Sequence, residues 1–182
     1  GAIFIGEKKR YYPYRELAAN AMGFIGHDQI GLSGLELKYE PELAGERISL
    51  QINRDARGQL IHHDVNSGFD NLKGKSLVLT IDKQVQYMVE MELEKAILEN
   101  GAKGGAAIAM DPKTGEILAM ASLPNFNPNV FWRYPAKNYS NRNVTELIEP
   151  GSIMKAVVLA AALSDSAVDL NTIIDCEQGQ YL

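Results

Sequence analysis

Apolar and polar positions follow two different rhythms along this chain. Over residues 1–75 no helical period is sustained. "YYPYRELAANAMGFIG" and "GLSGLELKYEPELAGER" are short segments punctuated by Gly31, Gly34 and Gly45. "RISLQINRDARGQLIHHDV" alternates apolar and polar residues on either side of Arg57-Gly58, which predicts a strand, a tight turn and a second strand. The first part therefore reads as a small, irregular α+β module.

The rhythm changes near Gly74-Lys75. "SLVLTI" is a continuous apolar run that predicts a buried strand, and Asp82 stands where it caps the helix that follows. Val85, Met88, Val89, Leu93, Ala96 and Ile97 fall on one face at helical spacing, and Asn100-Gly101 supplies a left-handed C-terminal stop. "GGAAIAM", "DPKTG" and "EILAMAS" then predict an antiparallel hairpin, with Pro112 at the first turn position and Gly115 at positive φ. Strand, helix and hairpin together predict a mixed sheet with helices packed on it. Asn125 to Asn143 is a long polar-aromatic connection with two prolines and no period of its own, the kind of segment that is often functional or mobile. Its aromatics Phe126, Phe131, Trp132, Tyr134 and Tyr139 are read as anchors for that connection rather than as a substrate groove.

The connection leads into "LIEPGSIMKAVVLAAAL", Leu147 to Leu163, where almost nothing polar follows a serine and a lysine. If a helix begins around Ser152, residues three apart share a face, and the Lys155 amine lies beside the Ser152 hydroxyl. A serine alcohol needs an adjacent base to act as a nucleophile. An amine is such a base only when neutral, and an apolar, partly desolvated setting favours that form. The helix N-terminus adds a positive field and free N–H groups that suit an alkoxide or oxyanion. Pro150 and Gly151 give a sharp entry, and Glu149 is read as fixing that corner without chemistry. Against this, serine favours helix starts for capping alone, and Ser-x-x-Lys is a pattern that chance supplies about once in a chain of this length. Spacing by itself does not decide.

Composition narrows the field. Of 182 residues, 46% are hydrophobic and 23% charged, which suits a folded protein of one or two domains. A net charge of −5 argues against a nucleic-acid partner. The single cysteine, Cys176, excludes an internal disulfide, and flanking Asp175 and Glu177 disfavour its thiolate, so it reads as inert. His62-His63-Asp64 reads as an exposed turn, because adjacent side chains on a strand point to opposite faces and cannot share a metal. The longest apolar run, Ala156 to Leu163, is too short to cross a bilayer, and "GAIFIGEKKR" is not a signal peptide. Any membrane anchor is expected to lie outside this sequence.

Several segments taken in order carry a family likeness. "EPGSIMK", Glu149 to Lys155, resembles the nucleophile box of the class B penicillin-binding proteins, the transpeptidases that cross-link bacterial peptidoglycan. "GGAAIAMDPKTGEILAMASLPNFNPN" is similar to the strand pair and loop before that box, and "SLVLTIDKQVQYMVEMEL" to the start of their transpeptidase domain. "GLSGLELKYEPELAGE" and "RDARGQLI" are similar to their N-terminal pedestal, and "NRNVTELIEPGS" looks closer to the septal, division-specific branch. The resemblance implies an α+β chain in two parts. Residues 1–75 form a pedestal or dimerisation-like module, and residues 76–182 the N-terminal part of a serine β-lactamase-like transpeptidase domain.

It further implies that Ser152 is the acyl-ester nucleophile and Lys155 the general base. β-Lactams would acylate the same serine, and no metal or cofactor is involved. The implied partners are stem peptides, a membrane glycosyltransferase and division proteins, on the outer side of the bacterial cytoplasmic membrane. The family's second and third boxes, Ser-x-Asn and Lys-Thr/Ser-Gly, do not follow Lys155 here, so the chain alone is expected to be inactive. "KTG" at Lys113 to Gly115 and "YSN" at Tyr139 to Asn141 have matching letters but precede Ser152, and both are rejected as active-site elements. Two other classes remain open: a β-lactam sensor or serine β-lactamase, and a non-catalytic division scaffold.

Overall fold

The computed structural model describes residues 9–45 and 74–174, which fall into two compact units divided between Glu146 and Leu147. The expected hairpin at Arg57-Gly58, the His62-His63-Asp64 group and Cys176 lie outside the described residues.

In the first unit the N-terminal part is irregular, as its glycine spacing implies. It has three short helices, α1 (Ala19–Met22), α2 (Gly34–Lys38) and α3 (Glu40–Ala44), and an isolated bridge between Ile25 and Gly31. The one long helix is α4 (Lys83–Glu99). Asp82 begins it as expected, its carboxylate accepting the Gln84 and Val85 N–H groups at 2.8 and 2.9 Å. Asp82→Ala removes that cap and lowers the unit's stability by about 1 kcal/mol, measurable as a shift of the urea midpoint at unchanged slope. The far end closes on Gly101 at φ +59°, with Gly101 N–H bonded to Leu98 O and Ala102 N–H to Ile97 O, a Schellman arrangement.

β1 (Gly105–Met110) and β2 (Ile117–Leu123) pair antiparallel, and Lys113 to Gly115 lies in the turn between them. Asp111 holds that turn by accepting the Lys113 and Thr114 N–H groups, with Gly115 at φ +77°. The mixed sheet expected from the sequence is not what forms among the described residues: the sheet has two antiparallel strands. Nor is "SLVLTI" a buried strand. It runs extended and largely exposed beside β2, joined there through Asp82 N–H to Leu118 O and the Thr80 hydroxyl to Ile117 O. One backbone bond is too few to make a ladder, and nothing described covers its Val78 side.

α4 packs on the face of the hairpin that carries Gly105, Ala107 and Ala109 opposite Leu123, Ala121 and Ala119. These small residues let the helix approach closely. A Cβ on Gly105 would meet Leu93 Cδ1 at 3.0 Å and Ile97 Cδ1 at 3.4 Å. The contacting stripe is Val85, Val89, Leu93 and Ile97, an unbroken i, i+4 row, while Met88 and Ala96, expected on the same face, are exposed. The residue that goes fully under is Gln86, with no exposed surface.

The connection from Asn125 to Asn143 is more ordered than its lack of period suggested. It contains 3₁₀ turns at Pro128–Arg133 and Ala136–Tyr139, followed by the single turn α5 (Arg142–Thr145). The aromatic anchoring holds for four of its five rings. Phe126 is completely buried among Tyr12, Ala19 and Phe24, with Phe131, Tyr134 and Tyr139 packed around them. Trp132 is the exception and lies half exposed.

In the second unit, a 3₁₀ turn (Gly151–Ile153) runs into α6 (Met154–Ser164).

Candidate active site

Ser152 does not cap the helix. It sits inside the 3₁₀ turn, and the flanking positions, Pro150 before the turn and Ile153 before α6, provide no side-chain cap. Gly151 makes the entry possible through its conformation: its φ is +51°, and a Cβ there would meet nothing within 4 Å. Glu149, expected to fix this corner, is exposed and forms no hydrogen bond or ion pair among the described residues.

Ile153 and Met154, the two residues between serine and lysine, both hold right-handed helical angles (φ −62°, ψ −31° and φ −62°, ψ −21°). Positions three apart across such a turn stack one above the other, so Ser152 and Lys155 share a face. Their side chains are not hydrogen-bonded to each other. Among the described residues neither makes any hydrogen bond or ion pair, so neither is engaged elsewhere.

The surroundings differ from the sequence expectation. Ile153 and Met154 are exposed, as are Val157, Val158 and Leu159. Among the described residues of its unit, only Ala162 and Leu163 of α6 are partly covered, and the rest of this largely apolar eleven-residue helix is exposed. The desolvation expected around Lys155 is therefore not provided by α6.

Upstream, a buried polar framework holds the first unit together, and sequence reasoning missed it. The Gln86 amide donates to Met120 O at 3.2 Å and accepts the Met120 N–H at 2.8 Å, replacing a neighbouring strand on that edge of β2. It also donates to Glu90 Oε1 at 2.6 Å, and the same oxygen accepts the Ala18 N–H at 2.8 Å. Residue 18 is thus tied to β2 through two side chains of α4. Burial raises the Glu90 carboxyl above its usual range. The bonds from Gln86 and Ala18 oppose the shift, and Glu16 and Glu94 reinforce it.

A carboxyl raised in the folded state stabilises the fold below its ordinary pKa, and that contribution is lost as pH rises through the raised value. Glu90→Gln keeps an oxygen for Ala18 without the charge. The stability of the variant therefore falls less than that of the parent between pH 4 and 7, and parallel urea curves across that range would contradict the assignment. The signal in the sequence was a glutamine and a glutamate set beside the apolar stripe of α4.

Two further anchors lie near the start of the framework. Glu36 is buried and accepts from Arg10 Nε at 2.8 Å and from the Tyr12 hydroxyl at 3.2 Å. Burial, followed by the Glu36 charge, raises the Tyr12 phenol. Closer to α5, Asn143 donates to Ala121 O, and Arg142 N–H to the Ser122 hydroxyl, which fixes α5 against β2. Tyr139 spends its hydroxyl on the Phe131 and Tyr134 carbonyls, and Asn141 caps α5 through the Asn143 N–H. The "YSN" letters are thereby accounted for by packing.

Known proteins resemble this chain along nearly its whole length. The family model described as "Penicillin-binding Protein dimerisation domain" matches residues 1–79, and that described as "Penicillin binding protein transpeptidase domain" matches residues 105–182. A peptidoglycan D,D-transpeptidase FtsI from Buchnera aphidicola is 37% identical over 175 residues, covering 96% of this chain and 30% of the relative. A probable peptidoglycan D,D-transpeptidase PenA from Neisseria gonorrhoeae is 38% identical over 170 residues, covering 93% of this chain and 29% of the relative. Among solved structures, penicillin-binding protein 3 from Mycobacterium tuberculosis, complexed with aztreonam, superposes with a TM-score of 0.70 at 31% identity, covering 92% of this chain and 34% of that one. The chain thus spans about a third of the length of the proteins it matches.

Proposed function

The chain belongs to the class B penicillin-binding proteins, and on that premise we propose that the whole protein is a peptidoglycan D,D-transpeptidase working through an acyl-enzyme on Ser152. The observation that carries the reading is the stacking of Ser152 and Lys155 across one helical turn, both unengaged, inside the family's nucleophile box.

The chemistry follows from that placement. The Ser152 oxygen attacks the carbonyl carbon of the penultimate D-alanine in a stem peptide, and its proton passes to the Lys155 amine. The tetrahedral intermediate collapses as the C–N bond breaks, and the terminal D-alanine leaves with a proton on its amine. An amine of a neighbouring strand then attacks the ester, releases Ser152 and forms the cross-link. Lys155 must be neutral when attack begins. Because α6 leaves it exposed, its desolvation comes from what closes over it, the acyl donor included. β-Lactams acylate the same oxygen and block the second step.

On this reading residues 1–75 are a pedestal and residues 76–182 the beginning of the catalytic domain. The protein acts on the outer side of the cytoplasmic membrane beside a glycosyltransferase and division proteins, in the septal branch. No helix among the described residues is long and apolar enough to cross a membrane. The test is to incubate the full-length protein with a fluorescent penicillin and map the adduct by peptide mass spectrometry. A stable adduct on Ser152 is expected. Rapid turnover of the label would mean a β-lactamase, and no adduct on folded protein would leave a non-catalytic scaffold.

A further inference from the structure

A cleft in the first unit is lined by Lys9, Arg10, Tyr12, His27, Gln29, Asn129, Phe131 and Trp132 among others. The residues around it divide into two sets. Tyr12 and Asn129 are spent on each other. Tyr12 N–H donates to Asn129 Oδ1 at 2.9 Å, and Asn129 Nδ2 donates back to Tyr12 O at 2.8 Å. Arg10 is held by Glu36. These three form a fixed floor joining residues far apart in sequence. The other set is unspent: among the described residues the side chains of Lys9, His27, Gln29 and Trp132 make no hydrogen bond or ion pair.

The wall of the cleft is aromatic. The Trp132 ring meets Phe131 at 5.4 Å edge-on and His27 at 5.7 Å, and Phe131 is itself packed on buried Phe24 at 4.4 Å. Trp132 is thus braced from behind yet 52% exposed in front. A single exposed apolar residue needs no explanation. A rigid indole facing a preformed cleft, with a cation, an amide and an imidazole all uncommitted at its rim, has the composition of a ligand site. Its chemistry calls for a ligand with a flat C–H face to lie on the indole, hydroxyl and acetamido groups for Gln29 and His27, and negative charge for Lys9.

We propose that this cleft binds an N-acetylated, acid-bearing glycan strand. The proposal depends on the transpeptidase reading only for the choice of peptidoglycan as the polymer. It is tested on the full-length protein by co-sedimentation with purified sacculi and by titration with soluble N-acetylhexosamine oligosaccharides, with fluorescent-penicillin labelling run in parallel. Trp132→Ala is expected to weaken both kinds of binding roughly tenfold, and Lys9→Glu to weaken sacculus binding with a smaller salt dependence. Penicillin labelling should be unchanged in both, which also shows that the variants fold. Glycan binding that is undiminished in both variants, or absent from the parent, overturns the proposal. Loss of penicillin labelling in the parent would instead strike the transpeptidase reading and leave the glycan measurement standing.

Discussion

Stable penicillin labelling is expected to disappear from the full-length Ser152→Ala protein, and acylation of Lys155→Met to slow by about 10²–10⁴-fold, the span usual for a positioned general base. The two variants fail for different reasons. On the proposed mechanism, alanine removes the atom that forms the bond. Methionine keeps a flexible apolar stem at the same place on the first turn of α6 and removes only the proton acceptor. Lys155→Arg separates base catalysis from simple charge. A guanidinium preserves the positive charge but does not give up its proton, so the arginine variant is expected to be as slow as the methionine one. Stopped-flow acylation rates for the three variants check this, and an arginine protein within tenfold of the parent would remove Lys155 from its role as base. The prediction rests on local geometry: a 3₁₀ turn opened by Gly151 at φ +51° carries Ser152, and after two residues with helical angles Lys155 follows on the same face.

Much of this was legible in the residues, and what was not has a physical pattern. Local signals held wherever the interaction is local. Asp82 reaches N–H groups two and three residues ahead, Gly101 stops α4, and Asp111 and Gly115 make the hairpin turn, each settled within a few positions of sequence. Ser152 and Lys155 were singled out the same way, by spacing and by the family's segment order, and their roles are what the labelling experiment tests. Errors arose wherever the outcome depends on what lies opposite. "SLVLTI" has a strand's composition but among the described residues meets β2 only through the Thr80 hydroxyl and the N–H of the next element's cap, Asp82, and α6 has a buried helix's composition but is mostly exposed. Apolarity records that a covering surface is wanted, not where it is.

The inverse error concerns polar residues. Gln86 and Glu90 fall outside the apolar stripe of α4, yet Gln86 is wholly buried because both its amide atoms pair with Met120 on the edge of β2. A buried glutamine is tolerated only when both ends of its amide are bonded, and those bonds come from a strand 34 residues away. No periodicity along a helix contains that information. The small-residue face of the hairpin is a middle case. Its alanines and Gly105 are visible in the sequence, but only the register, with Ala107 opposite Ala121 and Ala109 opposite Ala119, turns them into a surface for α4.

The aromatic cluster carries the second large effect. Phe126→Ala is expected to destabilise the first unit by about 3–5 kcal/mol, the range for emptying a fully buried phenylalanine site. Phe126 has no exposed surface, and its ring lies 5.4 Å from Phe24 and 4.9 Å from Tyr139. Truncation therefore loses apolar burial and the contacts with Phe24, Tyr134 and Tyr139 at once, in a setting where the neighbours are themselves braced. Tyr139 is tied by its hydroxyl to two carbonyls, and Phe24 packs on Phe131, so the walls cannot collapse to fill the space. Urea unfolding of the 182-residue chain measures the effect, followed by the emission of Trp132, its single tryptophan, which touches the cluster through Phe131. Phe126→Leu should recover part of the loss by refilling volume without the ring edges. A decrease under about 1 kcal/mol for the alanine variant would mean that the connection from Asn125 to Asn143 is not anchored through this ring, and that the N-terminal segment carrying Phe24 is held against it mainly by the Tyr12–Asn129 pair.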